Sequence, residues 1–155
     1  MNTRSAVPIL VLLSLPQWVV AQGVTIARAT PADVVEALKI QLLPQGFQFV
    51  SASDKNALFA LDRGMVAQQG TEMVRGAMVH IVLEFTARFK QKKEGLQVTA
   101  SEEVVGNPRS SLQFRKPVVS QAERNSMQQL LDTIRADLEA RPTADSATRR
   151  DSTRP

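Results

Sequence analysis

A chain of 155 residues with no cysteine and a single histidine excludes a disulfide framework, a zinc–thiolate centre, an iron–sulfur cluster, a thiol nucleophile and a multi-histidine metal cage. The formal charge is +4, from 19 Lys and Arg against 15 Asp and Glu. Setting aside Arg4 and the four arginines at 141, 149, 150 and 154 leaves 14 bases, and setting aside Asp145 and Asp151 leaves 13 acids, so residues 22–140 are nearly neutral and pull weakly on distant polyanions.

The first 21 residues have the three parts of an export signal. Met1-Asn2-Thr3-Arg4 is a short basic start. Residues 6–15 are apolar apart from Pro8 and Ser14. Val19-Val20-Ala21 then offers a signal peptidase its small or medium apolar residues. Residues 6–21 number 16 and include two prolines and a glutamine, against the roughly 20 apolar residues that a membrane span needs. A lipid-anchored precursor requires a cysteine at the cleavage point, and the chain has none. The expectation is a mature protein starting at Gln22 after cleavage at Ala21/Gln22, periplasmic or secreted, with neither span nor lipid anchor.

Residues 22–140 are predicted to form one α+β domain. Its 119 positions bury about two-thirds of the unfolded surface, enough for a core that needs no metal or cofactor. Residues 24–28 read as a strand. Thr30 can cap a helix that has Pro31 at its first position and Asp33 in its first turn. Val34, Val35, Leu38 and Leu42 form its apolar stripe, and Pro44 and Gly46 stop it. Residues 47–50 and 57–61 read as two strands joined by a polar turn, and Asp62-Arg63-Gly64 ends the second. Residues 65–73 are either an irregular link or more strand.

The strongest pattern follows. Ala77, Val79, Ile81, Leu83, Phe85, Ala87 and Phe89 alternate with mostly polar residues, which makes a long strand with one dry face. A charged turn at residues 91–95 leads into a returning strand whose inward set is Leu96, Val98, Ala100 and Val104. Asn107-Pro108-Arg109 breaks the sheet, and Leu112 and Phe114 dock a short extended piece. Ser120 and Glu123 make a capping box ahead of Met127, Leu130, Leu131, Ile134 and Leu138, the apolar face of a second helix. Residues 141–155 are a polar tail, expected to be disordered.

The expected fold is therefore an antiparallel four- to five-stranded sheet with two helices, in the order strand, helix, four strands, helix. Through Thr30-Pro31-Ala32-Asp33, Gly46-Phe47-Gln48-Phe49 and the long hairpin around Lys92-Lys93-Glu94-Gly95, residues 23–140 resemble small exported bacterial domains of TBP-like fold, among them envelope lipoproteins of outer-membrane assembly machinery. The resemblance lies in the order and length of elements. It implies a binding or scaffold domain, and the chain departs from the lipoproteins in lacking the lipid-bearing cysteine.

Candidate chemistry is sparse. His80 shares its strand face with Met78, Val82 and Glu84, but Glu84 lies about 13 Å along the strand, so no histidine–carboxylate dyad forms locally. Glu102 and Glu103 point to opposite faces and cannot act as paired carboxylates. Glu102 falls in phase with Leu96, Val98 and Ala100. It marks either a bulge or hydrated rim of the sheet, the favoured expectation, or a partly buried carboxylate lining a pocket. Gly64, Gly70 and Gly76 lack the strand-to-helix turn of a phosphate cradle. Arg88, Lys90, Lys92 and Lys93 make a basic hairpin end suited to surface contact. With Phe89 turned inward, no aromatic is free there to stack on bases, so nucleic acid is not an expected partner. No catalytic constellation emerges. The function these residues suggest is a non-catalytic, exported envelope domain that binds a protein partner or acts as a scaffold. The alternative is a carrier of a small apolar ligand, held between a curved sheet and the C-terminal helix. Intact-mass measurement of exported material is expected to give a chain beginning at Gln22, and a mass retaining Trp18 contradicts the assigned cleavage point.

Overall fold

Alternating apolar side chains give two long strands a dry face, and two amphipathic helices supply what that face must bury. The computed structural model describes residues 22–67 and 78–141. The elements are β1 (Gln22–Ile26), α1 (Pro31–Leu42), a short 3-10 turn (Leu43–Gln45), β2 (Gln48–Ala52), β3 (Asn56–Ala67), β4 (Met78–Lys92), β5 (Gly95–Gly106), β6 (Phe114–Pro117) and α2 (Gln121–Glu139). All strand pairings are antiparallel in the order β1-β5-β4-β3-β2, and β6 pairs with the far end of β5. The α+β class, the antiparallel sheet and the two helices are as expected. The assigned export segment, residues 68–77 and the tail from 142 lie outside the described residues. No helix among the described residues is long and apolar enough to cross a membrane.

Local chemistry sets the element ends. Thr30 and Asp33 cap α1 reciprocally: the Asp33 N–H donates to Thr30 Oγ1 at 3.3 Å and the Thr30 N–H donates to Asp33 Oδ2 at 2.9 Å. Ser120 caps α2 by accepting from the Glu123 N–H at 3.2 Å. In the β4–β5 turn, Gly95 has φ 146° and lies so close to the Ile26 carbonyl that any Cβ would collide with it. This turn therefore also fixes where β1 ends.

Two details differ from the expectation. Asp62-Arg63-Gly64 does not end β3, which continues to Ala67. The residues form a bulge instead: the pairing with β4 shifts between Asp62 and Gly64, Gly64 adopts φ 73°, and its N–H donates to Asp62 Oδ1 at 2.7 Å. The same Asp and Gly chemistry that makes turns here accommodates one extra residue in a strand. The segment holding Phe114 is a sixth strand, its ring lying against Gly106, where any Cβ would collide with it.

The core lies between the helices and one face of the sheet. Ile26, Val34, Leu38, Phe59, Phe85, Leu96, Val98, Leu131 and Ile134 are fully buried in it. Phe49, Phe59 and Phe85 form a row across β2, β3 and β4, with edge-to-face contacts at centroid distances of 5.5 and 6.3 Å.

The inward phase does not hold to the ends of the strands. Val104 is half-buried, whereas Val105, out of phase, is 0% exposed. The lengths explain this. The 15 residues of β4 reach roughly 50 Å, while the 19 residues of α2 span only about 28 Å, so the helices cannot cover the distal ends. There β6 lies alongside β5, with Arg115 opposite Val105. Leu83, in phase, is only partly buried against the core. Denaturant melts should therefore show Phe85→Ala and Ile134→Ala losing about 2–5 kcal/mol each, and Leu83→Ala losing less than either. The reverse ranking contradicts this assignment of the core.

Candidate functional site

The second face of the sheet carries no helix among the described residues. Cross-strand register arranges its polar side chains into two distinct halves.

In the distal half, Glu84 on β4 stands directly opposite Glu103 on β5. Like charges in that position repel. Arg115 on β6 answers both: its Nη1 donates to Glu84 Oε2 at 2.6 Å and to Glu103 Oε2 at 3.2 Å. These hydrogen bonds, Glu84's first, hold the guanidinium more firmly in its charged form. On the same face His80 Nε2 lies 2.8 Å from Asp62 Oδ1. A histidine–carboxylate pair thus exists, but between strands. Asp62 sits opposite Val82 and so lies diagonal to His80, beside the β3 bulge. The Gly64 N–H, followed by His80, holds the Asp62 carboxyl below its ordinary range. Both side chains are well exposed, at 39% and 59%. No group of three or more metal-ligating side chains occurs among the described residues.

The proximal half is basic. Arg88 lies opposite Thr99, and Lys90 opposite Gln97. Together with Lys55 and Phe89 they line a cavity of about 470 Å³. Lys55 is held against β4 because its carbonyl accepts from the Phe89 N–H at 2.8 Å. Of the four expected contact residues, Arg88 and Lys90 line this cleft. Lys92 lies in phase with them at the end of β4, and Lys93 is in the turn. Sequence reasoning missed Lys55, because a turn lysine shows no sign of the strand it will be pinned to.

Glu102 sits on the other face. The β4–β5 register runs unbroken through it, so the expected bulge is absent. It lies opposite Phe85, at the end of the row from Phe49. Its backbone carbonyl accepts from the Val118 N–H at 2.9 Å, and its side chain makes no hydrogen bond among the described residues. Burial pushes the carboxyl above the ordinary glutamate range, Glu123 adds to the rise, and Arg63 opposes it. Glu102 is half-buried where the core face outruns the helices.

No protein-family model matches this chain, and no curated protein matches it significantly.

Two outcomes follow from these charges. The raised Glu102 pKa means that the folded state favours the acid form more than the unfolded chain does. Its contribution is present below the unfolded value, near 4.5, and is lost as pH rises through the folded value. Glu102→Gln should therefore melt higher than the parent at pH 7, with the gap closing at pH 4; a constant gap contradicts the assignment. Arg115→Ala should cost about 1 kcal/mol at low salt, since it leaves Glu84 and Glu103 facing each other, and adding Glu103→Gln should recover most of the loss.

Proposed function

We propose that this chain is an exported, non-catalytic domain of the cell envelope that binds another protein through the open face of its sheet. The observation that carries the proposal is the one-sided architecture: both helices pack on one face, while the other carries the charged side chains Glu84, Arg88, Lys90, Glu103 and Arg115. The order of elements supports a TBP-like architecture of the kind that serves as a binding or scaffold module. The three-part leader supports periplasmic or secreted localisation. The His80–Asp62 pair has a structural task in this reading: it ties the β3 bulge to β4. Arg88, Lys90, Lys92 and Lys93 belong to the contact surface, the partner is an envelope protein, and no cofactor is needed.

A second reading, a carrier of a small apolar ligand, has one observation in its favour. Half-buried Leu61, Leu83 and Val104 flank Glu102 on the part of the core face that outruns the helices. Photo-crosslinking in cells separates the two. A crosslinker at Thr86, central on the open face, is expected to give one discrete adduct identifiable by mass spectrometry, and one at Gln129 on the outer side of α2 is expected to give none. No adduct at Thr86, together with a lipid or other apolar molecule recovered by solvent extraction of the purified protein, favours the carrier.

A further inference from the structure

The two halves of the open face are charged in different ways. In the distal half each of these carboxylates has a hydrogen-bond partner: Arg115 bridges Glu84 and Glu103, and His80 meets Asp62. In the proximal half Lys55, Arg88 and Lys90 converge on one cleft, yet none of them forms an ion pair among the described residues. No carboxylate lines the cleft. Its other polar walls are Thr99 and Gln97, both uncharged. Beyond them β1 contributes only Gly23 and Thr25 to this face, opposite Thr99 and Gln97. A cluster of like charges assembled without a counter-charge favours an anionic occupant.

From this we infer that the cleft between Lys55, Arg88 and Lys90 receives an extended, acidic polypeptide segment of the partner. The inference rests on the protein-binding reading above and names the partner's chemistry. Arg88 and Lys90 are two residues apart on one strand, so their side chains leave the sheet about 7 Å apart. That is also the repeat between alternate side chains of an extended chain, which lets acidic residues at alternate positions meet both cations. The site is held ready. The turn before β3 is closed by the Ser53 N–H donating to the Asn56 carbonyl at 2.7 Å, and Lys55 is tied to Phe89. Thr99 and Gln97 can hydrogen-bond the incoming backbone or side chains. A lipid headgroup fits less well: Phe89 and Leu96, the large apolar side chains beside the cleft, are buried, and the exposed Phe49 and Val50 stand apart from it on the edge strand β2.

The test uses the mature chain and four probes. These are a ten-residue peptide with Glu at alternate positions and Thr between, its Gln analogue, vesicles of phosphatidylglycerol, and inorganic phosphate. The Glu peptide is expected to bind and to weaken as salt rises. Arg88→Gln with Lys90→Gln should reduce that binding about tenfold, the effect of losing two partly exposed charge contacts, with the thermal midpoint unchanged. Lys55→Gln should reduce it less, and the Gln analogue should bind no better to the parent than to the double variant. Equal binding of the two peptides, an unaffected double variant, or retention by vesicles or phosphate in place of the peptide overturns the inference. The crosslinker at Thr86 keeps the two levels apart. An adduct there together with failure of the acidic peptide removes the cleft assignment and leaves the protein-binding reading. Failure of both removes both.

Discussion

Two helices of 12 and 19 residues must cover a sheet whose longest strand has 15, and an α-helix advances less than half as far per residue as a strand. The rest of the structure follows from that mismatch. The proximal ends of β3, β4 and β5, with β1, receive both helices and form the dry core of Phe59, Phe85, Leu131 and Ile134. The distal ends outrun them. There Leu61 and Leu83 are only partly buried, and Glu102 sits in an apolar phase beside Phe85. A carboxyl is tolerated at that boundary because its desolvation is incomplete, and it is perturbed there because its desolvation is real.

The open face solves a different problem. Antiparallel pairing sets Glu84 against Glu103, an arrangement that weakens a two-stranded ribbon on its own. The short β6 brings Arg115 across both, so one guanidinium does the work of two separate ion pairs and fixes the last strand to the sheet. Such half-exposed pairs contribute little stability individually. Their larger effect is on charge distribution. They pair the distal carboxylates, whereas the proximal cations Lys55, Arg88 and Lys90 form no ion pair among the described residues.

The β3 bulge links these themes. Asp62 accepts from the Gly64 N–H and from His80, so one carboxylate both stabilises the extra residue and anchors β4. The edge strand β2 also carries a register shift, between Phe49 and Ser51, and is exposed along its whole length. A short, irregular edge is poorly suited to pairing with another strand. The broad open face is therefore a better contact surface than the edge.

The sequence by itself determined the elements whose causes are local. Alternation from Val79 to Phe89 and from Leu96 to Ala100 named a core face, and Phe85, Ala87, Phe89, Leu96, Val98 and Ala100 are all buried. Thr30 and Ser120 marked the starts of both helices because a cap and the backbone N–H that donates to it lie three residues apart in the chain. Only the tertiary structure decided which residues meet across strands. Period two fixes the face of a side chain but not its neighbour, so the Glu84–Arg115–Glu103 bridge, the His80–Asp62 pair and the arrival of Lys55 beside Arg88 and Lys90 left no local trace. Glu102 shows the division most clearly. Its inward phase was legible residue by residue, whereas its partial burial depended on how far the helices reach along the strands, a property of the assembled lengths of distant elements.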